Sequence, residues 1–203
     1  MKRYAIVEVF YSLQGEGHRT GEPSLFVRFA GCNMACSMMP GPKSPGGFDC
    51  DTDFAPRRQM TAQEIVEECA SLSRSCGWVV LTGGEPLLQY DAELSTALFQ
   101  AGYKVAIETN GTVPLSKALA CDWLTVSPKV AEADLMVTHA DEVKYVCWPG
   151  MALPKPTVHA AHLFLQPAWR DDPKAATAHA IELCLEHPAW RLSSQQHKAW
   201  GVR

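Results

Sequence analysis

Trp78-Val79-Val80-Leu81-Thr82-Gly83-Gly84-Glu85-Pro86 reads as a short apolar strand running straight into a polar, glycine-containing turn. Four consecutive large apolar residues bounded by glycine and proline fit a buried strand better than a helix, which needs a longer periodic stretch. Outward from this segment the pattern repeats. Candidate strands lie at 5–10, 24–29, 104–109, 123–127, 142–147, 162–166 and 191–195. Stretches of helical period separate several of them. Thr61 and Glu64 form a capping-box pair, with Ile65, Cys69 and Leu72 on one face of the helix that follows. A second helix is predicted over 88–101 with Gly102 as its stop, and a third over 173–186 with Ala178, Ile181 and Leu185 inward. The spacing leaves room for a short helix at 117–120. Alternating strands and helices predict a mostly parallel α/β sheet.

Short polar stretches follow these strands: Gln14-Gly15-Glu16-Gly17, Gly31-Cys32, Gly83-Gly84-Glu85-Pro86, Asn110-Gly111, Ser127-Pro128-Lys129 and Gln166-Pro167. In a parallel sheet they would all emerge at one end, where barrels and open α/β sheets place their ligands. Turns alone explain the glycines. They do not explain the recurring Glu, Lys and Gln, so this end is expected to carry an enzyme's site.

The 203 residues suffice for one substantial core, and no repeat, charge block or linker divides them, so a single domain over 1–203 is expected. A formal charge of −4 supplies no field for many phosphates, which argues against a nucleic-acid partner. No apolar run approaches the roughly 20 residues that span a bilayer. The first residues lack the apolar core of a secretion signal, so the expected location is cytoplasmic and not on a membrane. In a reducing compartment the eight cysteines are better read as metal ligands or buried apolar residues than as disulfides.

Three residues separate Cys32 from Cys36, and Cys50 follows after a Gly- and Pro-rich loop at 37–49. Three thiolates can hold three corners of an iron–sulfur cubane and leave the fourth iron open. A zinc site would require a fourth Cys or His, and unrelated buried cysteines are the plainer alternative. Cys69 and Cys76 rival Cys50, although Cys69 falls on an apolar helix face. Cys121, Cys147 and Cys184 read as core. The Gly83-Gly84-Glu85 turn lets a backbone approach a ligand and offers a carboxylate to an ammonium group, which suits the methionine end of S-adenosylmethionine (SAM).

With these motifs the chain resembles the radical SAM superfamily, and within it the 7-carboxy-7-deazaguanine synthases of the queuosine precursor pathway. The stretches that carry the resemblance are 10–17, 27–33, 50–52, 82–86, 107–111, 126–129, 165–167 and 190–193, with His197-Lys198. It implies a reduced, partly open (β/α) TIM-barrel-like fold. The implied activity is that of a carbon–nitrogen lyase converting 6-carboxy-5,6,7,8-tetrahydropterin to 7-carboxy-7-deazaguanine with loss of ammonia. One 4Fe-4S cluster per subunit, on Cys32, Cys36 and Cys50, would work with SAM and with Mg²⁺ on Thr52. SAM positions are implied at Asp51, Gly83, Gly84, Glu85, Ser127, Pro128, Lys129, Gln166, Pro167, Ala168 and Trp169. Substrate positions are implied at Leu13, Gln14, Gly15, Glu16, Arg28, Thr82, His197 and Arg203. A flavodoxin- or ferredoxin-type electron donor and a homodimer complete the expectation. An activase acting on a protein and a non-enzymatic zinc module are the rival readings.

Arg28 on an otherwise apolar strand needs an anionic partner, either a substrate carboxylate or an internal carboxylate such as Glu8 or Glu108. The Gln14 amide can both donate to and accept from a heterocycle edge. Asp51 or Asp53 beside Thr52 can equally cap a helix. Three departures from the family pattern stand out. The insertion at 37–49 lengthens the cluster loop, and Asp49 with Phe48 one step earlier replaces the aromatic residue that usually precedes the third cysteine. The chain also ends in Gly201-Val202-Arg203 rather than an Asn-Ile-Pro-like tail.

Overall fold

A computed structural model describes residues 1–169 and 172–203. Its strands are β1 (Tyr4–Leu13), β2 (Pro23–Phe29), β3 (Arg58–Met60), β4 (Trp78–Gly83), β5 (Lys104–Thr109), β6 (Trp123–Val126), β7 (His139–Cys147), β8 (His159–Pro167) and β9 (Trp190–Leu192). The helices are α1 (Ala62–Leu72), α2 (Ala92–Gln100), α3 (Pro173–Glu186) and α4 (Gln196–Trp200). All nine strands form one sheet in the order β3-β1-β2-β4-β5-β6-β7-β8-β9. From β2 to β9 every pairing is parallel, whereas β1 runs antiparallel to both β2 and β3. No pairing joins β9 to β3 or β1 among the described residues, so the barrel stays open. This is the reduced, partly open α/β barrel expected.

Alternation along the strands divides the sheet into two chemically distinct faces. Leu25, Val27, Phe29, Val79, Leu81, Val105, Ile107, Val126, Val143 and Leu165 point to one side and form the main core with Ile65, Leu94, Leu98 and Leu183 from the helices. The opposite face begins as a small apolar cluster of Phe10, Phe26, Val80 and Ala106. Toward the strands' C-terminal ends it becomes polar, with Arg28, Thr82, Glu108, Thr125, Lys144 and Gln166 lining one cavity.

The ends of several elements follow from local chemistry. Thr61 and Glu64 close the expected capping box, with Glu64 N donating to Thr61 Oγ1 at 3.2 Å and Thr61 N to Glu64 Oε2 at 2.6 Å. Replacing Thr61 by Ala is expected to cost about 1 kcal/mol of stability in urea titration. Helix α2 starts at Ala92 rather than 88, because Asp91 caps it and Pro86–Leu88 forms a separate 3-10 turn.

Other expectations are corrected. The stretch 117–120 is a turn without a helix, and β9 stops at Leu192, ahead of α4. On α3 the inward residues are Ala176, Ala180 and Leu183, while Ile181 and Leu185 are 41% and 77% exposed. The small Ala176 and Ala180 let the helix lie close on β7, β8 and β9, with Leu183 reaching into the core. The short edge strand β3 carries no apolar pattern and was not anticipated.

The largest correction concerns the loop after β1. A link of residues 14–22 is too short for a parallel crossover, which takes about a dozen or more residues, so β1 and β2 pair antiparallel. The Gln14-Gly15-Glu16-Gly17 turn therefore leaves from the opposite end to the other loops. It folds up against the sheet's polar face instead. Arg19 stacks on Trp78 at 3.7 Å and His18 on His162 at 4.1 Å, which closes the strands' N-terminal mouth.

Candidate active site

The cavity above this plug has a volume of ≈ 620 Å³. That lies within the range of about 300–1,000 Å³ typical of small-molecule sites. Of the cluster, Mg²⁺, SAM and substrate positions implied from sequence, all but Cys32, Glu85 and Pro128 line it. Strand ends and one folded-back loop bring them together.

The insertion at 37–49 folds on itself. Gly41 and Ser44 pair across a tight turn, Ser44 Oγ accepts from Ser37 N at 2.9 Å, and Asp49 Oδ1 accepts from Met38 N at 3.0 Å. At its base Cys50 N donates to Cys36 O at 3.2 Å, so the two cysteines stand side by side as though the intervening residues were absent. Such closed loops cost little more than short ones, because closure entropy grows only logarithmically with length. Burial pushes the Cys32 and Cys36 thiols up, and neighbouring cysteines push the same way: Cys50 on Cys32, and Cys50 and Cys32 on Cys36. The rivals are engaged elsewhere. Cys69 is fully buried in the core, where desolvation drives its thiol to about 12, and Cys76 Sγ points at the Pro23 and Trp78 carbonyls. No three Cys, His, Asp or Glu side chains converge on a single ion among the described residues. A cubane makes no such demand, since each thiolate binds a different iron.

Gly83 and Gly84 lie against the turn that carries Cys32. A Cβ on Gly84 would sit 1.8 Å from Gly31 O, and one on Gly83, whose φ is +119°, would sit 2.3 Å from Phe29 O. Only glycine allows this backbone contact. Glu85 does not face the cavity. It is fully buried, and its carboxylate accepts from Leu87 N at 3.0 Å, Thr109 Oγ1 at 2.8 Å and Asn110 N at 2.8 Å. Across the cavity, Lys129 Nζ donates to Ser127 Oγ at 2.6 Å and lies 5.7 Å from the Phe48 ring. Desolvation lowers its pKa to about 8.

The floor is built from paired charges. Arg28 Nε bonds Glu8 Oε1 at 3.0 Å, the internal partner weighed from sequence, and its terminal nitrogens make no protein hydrogen bond among the described residues. Glu108 accepts from Gln14 Nε2 at 2.9 Å and from Thr82 Oγ1 at 2.8 Å. Arg203 reaches Glu8 Oε2 at 3.2 Å from the other side.

Lys144, in the middle of β7 and 5% exposed, forms an ion pair with Glu16. Burial alone would raise the Glu16 carboxyl, but the Lys144 ammonium overrides it and holds the pKa well below the usual range. The same partner keeps Lys144 protonated against its own desolvation. Gln195 Nε2 reaches both Glu16 at 3.0 Å and Asp51 at 3.1 Å, and Lys198 Nζ bonds Asp51 at 2.9 Å. Helix α4 thereby ties the floor to the segment after Cys50. His197 presses on Gly15, where an added Cβ would fall 2.2 Å from its Nδ1.

Lys144, Glu108, Gln195 and Lys198 were not anticipated as site residues. A lysine between Val143 and Tyr145 carries the same signal that marked Arg28, a charge on an apolar strand. Gln195 carries none and Lys198 only its place in the His197-Lys198 motif, because it is the path of α4 that brings both here.

A family model described as the radical SAM superfamily matches residues 26–143. The chain is 40% identical to a 7-carboxy-7-deazaguanine synthase of Bradyrhizobium diazoefficiens, over 98% of this chain and 99% of that one. It is 42% identical to a protein of the same name from Bacteroides thetaiotaomicron, over 98% of both. Among solved structures, QueE from Escherichia coli superposes with a TM-score of 0.69 at 26% identity, covering 95% of this chain and 94% of that one.

Proposed function

The chain belongs to the radical SAM superfamily and, within it, to the 7-carboxy-7-deazaguanine synthases, and on that premise we propose how its residues divide the work of that lyase. It converts 6-carboxy-5,6,7,8-tetrahydropterin to 7-carboxy-7-deazaguanine with loss of ammonia, using a 4Fe-4S cluster and SAM. When bound, the reduced cluster and SAM together supply the 5′-deoxyadenosyl radical that takes a hydrogen from the substrate.

The observation that carries the assignment of roles is the closure of the 37–49 loop, which sets Cys50 beside Cys36 on the cavity's rim. Cys32, Cys36 and Cys50 would then hold three irons: Cys36 and Cys50 line the cavity, Cys32 sits on the turn packed against Gly84, and Cys69 and Cys76 are engaged elsewhere. The Gly83-Gly84 backbone, Ser127, Lys129 and residues 166–169 receive SAM, with Phe48 beside Lys129 offering a ring face to adenine. Lys129 supplies positive charge to a carboxylate while its hydrogen bond to Ser127 fixes its position.

Below, Gln14, Thr82 and Glu108 present a donor–acceptor row to the pterin edge, and the terminal nitrogens of Arg28 take its carboxylate. Because Glu16 and Lys144 neutralise each other, this pair holds the floor's shape without adding net charge beneath the heterocycle.

Thr52, on the cavity wall two residues past Cys50, would be the protein ligand for Mg²⁺, a hard cation whose preference for oxygen suits a hydroxyl beside a substrate carboxylate. Thr52→Ala is expected to raise the Mg²⁺ concentration needed for half-maximal turnover about tenfold or more, since even outer-sphere losses cost ~10–100-fold. An unchanged Mg²⁺ titration would remove this role. The same reading makes the enzyme a single domain working as a cytoplasmic homodimer, fed by a flavodoxin- or ferredoxin-type donor. Among the described residues no helix is long and apolar enough to cross a membrane.

The test is anaerobic reconstitution with iron and sulfide, followed by incubation with SAM, dithionite, Mg²⁺ and carboxytetrahydropterin. Mass spectrometry should find 7-carboxy-7-deazaguanine and 5′-deoxyadenosine. SAM cleavage with the pterin left intact would point instead to a radical enzyme of another substrate class.

A further inference from the structure

We propose that Asn110 is a positioning residue for the cluster, its side-chain amide directed at Cys32 Sγ so that it raises the cluster's reduction potential. This rests on Cys32 being a cluster ligand. Asn110 follows β5, is 7% exposed, and places Nδ2 4.0 Å from Cys32 Sγ. Met34 N approaches the same sulfur at 3.4 Å.

The orientation of this amide is dictated by a closed ring of hydrogen bonds. Asn110 Oδ1 accepts from Thr112 N at 2.9 Å and from Thr112 Oγ1 at 2.6 Å, which leaves Nδ2 on the side facing the sulfur. Asn33 Nδ2 donates to Thr112 Oγ1 at 2.7 Å, so Asn33 Oδ1 must face Asn110, whose Nδ2 reaches it at 2.9 Å. Flipping either amide would set donor against donor. With one amide hydrogen spent on Asn33, the other is available to sulfur.

Glu85 acts through this turn. Its carboxylate accepts from Asn110 N and from the Thr109 hydroxyl, so the charge of the Gly-Gly-Glu motif clamps the segment that carries Asn110 instead of meeting a ligand. Gly111, at φ +82°, completes the bend, and a Cβ there would fall 2.9 Å from Val126 Cγ1.

Reduction adds one negative charge to a cluster. An N–H dipole aimed at a ligand sulfur therefore favours the reduced state, and hydrogen bonds to sulfur are among the factors that set cluster potentials. Glycine or alanine at 110 would remove the dipole, whereas aspartate would keep the acceptor for Thr112 and reverse the charge facing the sulfur.

The experiment is an EPR-monitored redox titration of the reconstituted enzyme without SAM, beside iron analysis, for the wild type, Asn110→Ala, Asn110→Asp and Thr112→Val. Asn110→Ala should make one-electron reduction about tenfold less favourable, a midpoint ~59 mV lower. Asn110→Asp should move it further in the same direction, and Thr112→Val less, because it only loosens the ring. Full iron content with the wild-type midpoint in both Asn110 variants would overturn the proposal. A Cys32→Ala control separates the two levels of inference. If that variant keeps the wild-type cluster signal, the ligand assignment itself is wrong; if it loses the cluster while the Asn110 midpoints stay put, only the role of Asn110 fails.

Discussion

Cys50→Ala is expected to leave the sheet folded and to lower turnover by about 10³-fold or more, a barrier increase of roughly 4 kcal/mol. Cys50 is half-exposed at the cavity rim and contributes little to the core, so removing its sulfur takes away a ligand and not a packing group. Iron analysis should show the reconstituted protein falling below the about four irons per chain of an intact cubane. Cys76→Ala is the control, since Cys76 Sγ is turned toward the Pro23 carbonyl and away from the cavity. If Cys50→Ala retains full iron and turnover while Cys76→Ala loses them, the ligand set is misassigned.

The second large effect is at the cavity floor. Lys144→Met is expected to destabilise the fold by about 3–5 kcal/mol, because it leaves the Glu16 carboxylate buried without its counter-charge. The double variant Glu16→Gln with Lys144→Met should recover most of that stability, since neither side chain then carries a charge into the interior. Urea unfolding of the four forms closes the cycle. The sign of the pH dependence follows from the direction of the Glu16 shift. A carboxyl held below its unfolded value contributes stability at and above the ordinary carboxylate range, and that contribution disappears only as pH falls through the lowered value. The single variant should therefore lose stability at neutral pH but close the gap with the wild type in strong acid. Additive effects in the cycle would show that the pair is not coupled. Turnover should stay low even in the stable double variant if the floor orients the substrate.

Much of this molecule is legible in its sequence because the signals are local. Short apolar runs bounded by glycine, proline or polar residues mark β2, β4 and β5. Thr61 and Glu64 announce α1 since both partners of the capping box lie within one turn. Arg28 and the Gly83-Gly84 pair betray themselves by being costly or useless on an ordinary strand or turn. The cysteines carry their meaning in spacing and in the Asp-Thr that follows the third.

What local signals could not decide is where segments return. Antiparallel β1 sends Gln14 to Glu16 beneath the cavity instead of beside the other loops, and that depends on pairing between distant strands. Cys50 is adjacent to Cys36 only because a backbone hydrogen bond closes the intervening loop. Glu85, read from its motif as a ligand for ammonium, is turned inward by three donors that belong to β5's end and its own 3-10 turn. Helix α4 and its Gln195 and Lys198 reach the floor after the whole sheet has intervened. Composition and periodicity specify which surfaces seek burial and which residues can do chemistry. The direction a buried charge faces is set by whichever partners the completed sheet brings within hydrogen-bonding distance, and no short window of sequence contains them.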